Sequence, residues 1–320
     1  MTRVVAFIVA LLALSLLAPI ATAQDASPVA SPGAAACLAP ELPPGTPTPM
    51  DMDASPEAEM EEAMASPEGE LPVAEASPAI PSGQPASDEQ ASRVEEALQN
   101  LAACSNAGEY VAYAALFTEQ GLLEECGTTN IYDAEMCFGG IPPIVDVTVS
   151  DVQVHDDGRL SADVTYTVGA MQGHERFFLA EQSDGMLLVD ASPELPVAVP
   201  ENATVISGEM ADYEFILSES SAPAGTVAFE VANTGEYPHE LVVLQLPEGV
   251  TIEQLFADES LFEQVQFFGF TYADPEQDAP PLVLSDLQPG VYTLICFIDE
   301  PEGIPHVMRG MVAEFTVTDA

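Results

Sequence analysis

The sequence predicts a mainly β protein with a C-terminal Greek-key β-sandwich, preceded by a smaller α+β domain and a disordered N-terminal segment. Three observations support this prediction. From residue 198 to 320, short stretches of alternating apolar and polar residues are separated by Pro- and Gly-containing turns, as in a sandwich. From 88 to 197, helical periodicity is followed by the alternation typical of strands. Residues 24–87 are of low complexity.

The first 23 residues have the organisation of a secretory signal peptide. Arg3 precedes an apolar run from Val4 to Ile20, which ends in Ala21-Thr22-Ala23. An uncleaved membrane anchor is the alternative, because the run is nearly long enough to span a bilayer. We expect no further membrane span after cleavage, and a secreted, periplasmic or cell-surface protein.

Residues 24–87 are predicted to be a disordered acidic linker. The tripeptide Ala-Ser-Pro occurs five times in this segment, and no basic residue does. Its composition rich in Ala, Ser, Pro and Glu cannot bury enough apolar surface to offset the entropy lost on ordering. Thioethers are soft copper(I) ligands, and the segment contains Met50, Met52, Met60 and Met64. A methionine-containing linker without such a role is the interpretation that the composition favours.

The charge balance restricts the partners of the protein. The chain has 53 acidic residues against 5 basic ones, for a formal net charge of -48. Too few cations are present to neutralise phosphates, which argues against nucleic-acid binding. We expect a redox partner that presents a cationic surface, or one that docks on an apolar patch.

The five cysteines divide into a group of four and a single remaining one. Export implies an oxidising compartment, so the four cysteines before residue 140 are expected to form disulfides, for instance Cys104 with Cys126 or Cys137. Cys37 is the fourth member of this group. The connectivity of the four cysteines cannot be deduced from their spacing. Cys296 lies far from the others in the sequence. It is therefore expected to be a free thiol, part of an intermolecular bridge or a metal ligand.

The region 88–197 combines helices with a β meander. Ser87-x-x-Gln90 is a capping-box signature that opens a helix, a second helix is predicted at 109–117, and alternating strands follow. This order of elements resembles the NTF2-like (SnoaL and ketosteroid-isomerase-like) cone fold, whose enzymes hold an Asp or His base in a pocket. The candidates here are His155 and His174. Both lie beside predicted turns, where a solvated surface histidine is expected, so we assign no catalytic role.

The C-terminal domain, 198–320, contains one group of candidate metal ligands. His239 follows an Asn-Thr-Gly turn, Cys296 ends an apolar strand, and His306 and Met311 precede the final strand. A type 1 (blue) copper site needs two imidazoles and a thiolate in a roughly trigonal plane, with a weak axial thioether. Both histidines and the only cysteine of this domain fall on that pattern.

The pattern resembles that of the cupredoxins (plastocyanin-like proteins) over about residues 200–320. The resemblance implies one type 1 copper ion, bound by His239, Cys296, His306 and Met311. It also implies outer-sphere one-electron transfer through a partly exposed His306. The nine-residue spacer between Cys296 and His306 is a departure, because many cupredoxins have two to four residues there. Met308 is an alternative axial ligand that fits the family spacing poorly.

Three functions are consistent with the sequence. The first is an exported blue copper-binding protein that transfers single electrons and meets its partner through the apolar loop around Ile304, Pro305 and Val307. The second is a non-catalytic interaction or ligand-binding protein with a metal-free cupredoxin fold. The third is an enzyme that uses the NTF2-like pocket. An electron carrier or binding protein is favoured over an enzyme, because no acid/base pair can be identified.

A helical insertion is predicted at 250–275, from the capping signature Thr251-x-x-Gln254.

Overall fold

A computed structural model describes residues 37, 38, 40, 42, 45, 83–139, 141–300 and 303–319. The predicted signal peptide and most of the predicted linker, with its four methionines, lie outside the described residues. Within the part that the structure describes, no helix is both long and apolar enough to cross a membrane. The described chain is mainly β, and most of its helical residues precede the first long strand.

Helices open the region 88–197. They are α1 (Asp88–Asn106), α2 (Tyr110–Ala114), α3 (Glu119–Cys126), a 3₁₀ turn (Ile131–Asp133) and α4 (Ala134–Phe138). The capping box predicted at the start of α1 is present, because the Gln90 amide donates to the Ser87 hydroxyl and the Gln90 side chain accepts from the Ser87 amide. Helix α1 buries the apolar residues that recur at helical spacing, Val94, Leu98 and Leu101.

An antiparallel meander packs against the helices, and all of its strands except a short first one follow them in the chain. Its strands are β1 (Gln84–Pro85), β2 (Ile144–Val154), β3 (Leu160–Val168), β4 (Met171–Glu181) and β5 (Leu187–Ala191). Each strand pairs with the next in chain order. The core between helices and sheet includes Leu98, Phe117, Leu122, Phe138, Leu160, Leu179 and Val189. Helices before a meander agree with the predicted α+β order, and the NTF2-like resemblance stays a prediction.

The disulfides correct the predicted pairing. The bridges are Cys37–Cys104 and Cys126–Cys137, not Cys104 with either of the other two. The bridge at Cys37 holds a piece of the predicted linker against α1, where Leu38 and the Asn100 side chain exchange two hydrogen bonds of 2.7 and 2.9 Å. A contact between such distant segments leaves no trace in local periodicity, which is why the sequence did not predict it.

The strands that follow residue 198 form the predicted β-sandwich. Its strands are β6 (Thr204–Ala211), β7 (Glu214–Leu217), β8 (Ser221–Pro223), β9 (Gly225–Asn233), β10 (His239–Gln245), β11 (Gln266–Ala273), β12 (Leu282–Leu287), β13 (Gly290–Ile295) and β14 (Val312–Thr318). One sheet has the order β12-β9-β6-β7 and the other β11-β10-β13-β14-β8. The pairs β6–β9 and β8–β14 are parallel, and the others are antiparallel. Apolar side chains from both inner faces form the core, among them Val227, Phe229, Leu241, Leu284, Tyr292, Leu294 and Phe315.

A strand pair joins the two regions in one continuous sheet. Strand β12 pairs with β4 at Leu284 and Met171, and the Ser285 amide donates to the Ala170 carbonyl at 2.8 Å. Gly269 in β11 packs at the same junction, since a Cβ there would lie 2.9 Å from the side chains of both Leu284 and Met171. The absence of a side chain at this position therefore permits the close approach.

The insertion between β10 and β11 is shorter than predicted. Helix α5 (Ile252–Ala257) has the expected capping box at Thr251, and a 3₁₀ helix (Glu259–Gln264) follows. Residues 266–273 of the predicted helical insertion form strand β11 instead, which pairs along the whole of β10. Aromatic residues in this stretch favour a strand. The insertion contributes Phe256 to the apolar cluster on the outer face of β10 and β13.

Candidate metal centre

Three potential metal ligands meet at one end of the sandwich. His239 is the first residue of β10, Cys296 follows β13 directly, and His306 opens a short 3₁₀ helix (His306–Arg309). The Nδ1 atoms of the two histidines lie 3.1 Å apart, and the Cys296 Sγ lies 3.5 Å from His306 Nδ1. The ligand atoms of all three side chains fall within 4.8 Å of one another. Each of these residues has an exposed fraction of 0%.

The backbone fixes this convergence. Strands β10 and β13 are hydrogen-bonded neighbours, which brings His239 and Cys296 to the same end of one sheet. The loop after Cys296 folds back on itself, because the Val307 amide donates to the Cys296 carbonyl at 2.9 Å and the His306 amide donates to the Ile298 carbonyl at 2.8 Å. The nine-residue spacer therefore does not separate the thiol from the second imidazole.

Asp212 orients the ring of His239. Its Oδ1 lies 3.1 Å from His239 Nε2 and also accepts from the Glu236 amide at 3.0 Å and the Tyr237 amide at 3.4 Å. Burial raises the pKa of Asp212, but these hydrogen bonds outweigh it and hold the pKa below its usual value. An ionised carboxylate can only accept. His239 therefore carries its proton on Nε2 and presents the Nδ1 lone pair to Cys296 and His306, as a carboxylate-oriented metal ligand does.

The turn before His239 is fitted closely to this pair. The Asn233 side chain accepts from the Gly235 amide at 2.9 Å and donates to the Tyr237 carbonyl at 2.8 Å. A Cβ on Gly235 would lie 2.3 Å from Asp212 Oδ1 and 2.7 Å from His239 Nε2. Only glycine leaves room for the carboxylate–imidazole contact at this place.

His306 is fully buried, which contradicts the expectation that it is partly exposed. Two half-buried tyrosines cover it, with ring centroids at 5.3 Å for Tyr213 and 6.0 Å for Tyr237. Its Nε2 is buried without a hydrogen-bond partner. Burial, reinforced by the nearby His239, lowers the pKa of His306, so the ring is available as a neutral ligand.

Cys296 and Glu240 form the other side of the centre. Burial, together with the neighbouring Glu240, raises the pKa of the Cys296 thiol to about 12, so a metal that binds here must displace the thiol proton. Glu240 accepts from the Phe297 amide at 2.8 Å through one oxygen, while the other is buried without a partner. Burial raises the pKa of Glu240 to about 7.

Met311 is buried beside Cys296 in the sandwich core, with an exposed fraction of 0%. Its amide donates to the His306 carbonyl at 3.1 Å and its carbonyl accepts from the Cys296 amide at 3.3 Å. These bonds tie its backbone to two of the three converging residues. Gly310 makes the preceding turn with φ of 107°. Met308, the alternative, has an exposed fraction of 50%.

The remaining histidines lie in the region 88–197. His155 is buried, and its Nε2 is 2.8 Å from the Ser161 hydroxyl. The expectation of a solvated surface side chain is therefore wrong for His155, because its turn packs against Phe178, whose ring lies 5.3 Å away. His174 is partly exposed, with Nδ1 2.8 Å from the Pro196 carbonyl oxygen.

Sequence reasoning missed three residues of the centre: Asp212, Tyr213 and Glu240. A carboxylic acid in the apolar run of β10 was a readable signal for Glu240. No local signal marks Asp212 and Tyr213, because they reach the histidines only when the two sheets stack.

The fold and the centre together define a cupredoxin-like β-sandwich with a buried His-Cys-His group. No family model matches the sequence, and a search of curated proteins finds no match. Among solved structures, dithionite-reduced auracyanin from Roseiflexus castenholzii is 18% identical with a TM-score of 0.27, over 37% of this chain and 99% of that one.

Two further solved structures extend this comparison. Auracyanin A, a blue copper protein from Chloroflexus aurantiacus, is 15% identical with a TM-score of 0.24, over 36% of this chain and 100% of that one. A multicopper oxidase from Pediococcus acidilactici is 17% identical with a TM-score of 0.25, over 46% of this chain and 36% of that one.

Proposed function

We propose that the chain is an exported copper protein whose C-terminal sandwich holds one type 1 copper ion and transfers single electrons. The observation that carries the proposal is the convergence of two imidazole Nδ1 atoms and one thiol sulfur in a buried group. Two nitrogens and one soft sulfur are the donor set that copper prefers in such a site.

The residues of the chain have distinct roles in this proposal. Bound copper supplies a one-electron couple between its two common oxidation states. His239, Cys296 and His306 would hold the ion, and Met311 would supply a fourth, weaker sulfur ligand. Asp212 keeps the His239 lone pair directed at the site.

Export and partner choice follow from the rest of the chain. The N-terminal signal pattern and the two disulfides support an oxidising compartment outside the cytoplasm. A net charge of -48 favours a redox partner with a cationic surface or an apolar contact patch.

The test is spectroscopic. The purified protein with intact disulfides is titrated with Cu(II), and we expect one equivalent to produce an intense visible band and a type 1 EPR signal. Cys296→Ser abolishes the band, because the thiolate is its source. Met311→Leu retains binding and shifts the spectrum, whereas Met308→Leu, at a half-exposed position, is the matched control without effect. A colourless protein that binds no copper would refute the proposal.

A further inference from the structure

The tip of the β6–β7 hairpin lies directly over the metal centre. The paired residues Ala211 and Glu214 leave Asp212 and Tyr213 as a two-residue loop. Tyr213 adopts φ of 66°, in the left-handed region. Tight hairpin loops of this kind normally carry glycine, asparagine or aspartate, and a bulky residue with a positive φ is strained. A strained tyrosine persists only where other contacts hold it.

Those contacts all point to the centre. The Tyr213 ring meets the His306 ring edge to face, with centroids 5.3 Å apart and an interplanar angle of 80°. The Tyr213 hydroxyl donates a hydrogen bond to Glu300, a buried residue of the Cys296–His306 loop. Glu300 in turn accepts from Arg309 at 2.7 Å. These contacts therefore attach the hairpin tip to the loop that carries the second histidine.

The hydroxyl of Tyr213 is locked as a donor. The Glu300 carboxylate that accepts this bond is also paired with the Arg309 guanidinium, and an ionised carboxylate can only accept. The consequence is seen at His306, whose exposed fraction is 0% although the residue lies in a surface loop.

We propose that Tyr213 is a specificity-determining cover, which keeps water and small anions away from His306 and from a bound metal. The inference rests on the proposed copper site and deepens it: the centre exchanges electrons with partners and does not exchange ligands with solvent. Electrons then enter or leave through the Tyr213 and Tyr237 surface rather than through an exposed histidine edge.

The first test needs no metal. The metal-free protein is treated with diethyl pyrocarbonate at neutral pH, and modification of each histidine is followed by peptide mass spectrometry. The partly exposed His174 serves as an internal reference. We expect His306 to react at least about tenfold more slowly than His174, since a local opening of 1.4 kcal/mol already gives that factor. Tyr213→Gly removes the ring and relieves the positive φ, and it should bring the His306 rate close to that of His174.

Two further variants complete this test. Tyr213→Phe keeps the ring and loses the bond to Glu300, so we expect a rate between those of the wild type and Tyr213→Gly. Ile216→Ala, at an exposed position in the same hairpin, should leave the rate unchanged. Equal rates for His306 and His174 in the wild type would overturn the proposal, even if Tyr213→Gly did not fold. No acceleration in a folded Tyr213→Gly would overturn it as well.

The second test uses the copper-loaded protein. We expect azide to leave the visible and EPR spectra of the wild type unchanged and to alter those of Tyr213→Gly. A wild-type spectrum that responds to azide as the variant does would overturn the cover. A chain that binds no copper would instead overturn the proposed function, while the diethyl pyrocarbonate rates would still decide the role of Tyr213.

Discussion

Replacing Asp212 tests how the centre is held, and the expected size of the effect follows from the contacts. Asp212→Ala deletes the acceptor of the His239 Nε2–H, which is a fully buried donor. A buried donor left unpaired costs about 1–3 kcal/mol. At 1.4 kcal/mol per factor of ten, we expect copper affinity to fall about 10–100-fold. The backbone donors Glu236 and Tyr237 lie nearer the surface and can turn to solvent.

The assay is a competition titration. Copper is partitioned between the protein and a chelator of known affinity at pH 7, and the visible band reports the bound fraction. Asp212→Asn keeps an acceptor oxygen but loses the charge, so its loss should be smaller, about three- to tenfold, because charge-assisted bonds are roughly twice as strong as neutral ones. Asp319→Ala, at an exposed position of the same sandwich, controls for the change in net charge. Wild-type affinity in Asp212→Ala would show that the His239 ring needs no carboxylate, and the reasoning would be wrong.

Three other predictions concern stability and the fit of the turn. Burial raises the pKa of Glu175 to about 8 from 4.5. The contribution of its protonated carboxyl to the free energy of unfolding is therefore complete below pH 4.5 and is lost as the pH rises through 8. Urea titrations should show that the free energy of unfolding falls by roughly 3–5 kcal/mol between pH 5 and pH 9, and Glu175→Gln should remove that part of the pH dependence. The same pH dependence in the wild type and in Glu175→Gln would contradict this prediction. Replacing Cys37 and Cys104 by serine opens a loop with a sequence separation of 67 and should lower the free energy of unfolding by about 4 kcal/mol, whereas an unchanged urea midpoint would refute the stabilising role. Gly235→Ala drives a Cβ between Asp212 and His239 and should weaken copper binding in the same titration by a factor similar to that of Asp212→Ala; tight binding would show that the turn can shift.

Local signals predicted the elements of the fold well. Both capping boxes, at Ser87 and Thr251, open helices as the sequence indicated, and the alternating residues of β9 are buried in the sandwich core. These features depend on neighbours within a few residues. Strand β11 was missed because the cap signals before it suggested a longer helical insertion. Its assignment depends on pairing with β10, which no local pattern reports.

The same distinction between local signals and long-range contacts applies to the candidate centre. The order of His239, Cys296 and His306 in the chain was enough to select them, because histidine and cysteine are rare in this domain. Their surroundings were not predictable. Asp212 and Tyr213 come from a hairpin tip in the opposite sheet, and their contacts arise from sheet stacking. The exposure of His306 was inferred from resemblance, and the hairpin overrides that inference.

The long spacer between Cys296 and His306 acquires a physical explanation from these contacts. A longer loop costs closure entropy and would loosen the site if it were free. Here the described part of the loop is closed by the Glu300 amide, which donates to the Ile304 carbonyl at 2.9 Å, and the additional length carries the Glu300 carboxylate to the Tyr213 hydroxyl. The extra residues and the strained tyrosine are therefore two parts of one arrangement, since each is costly alone and together they bury the second histidine.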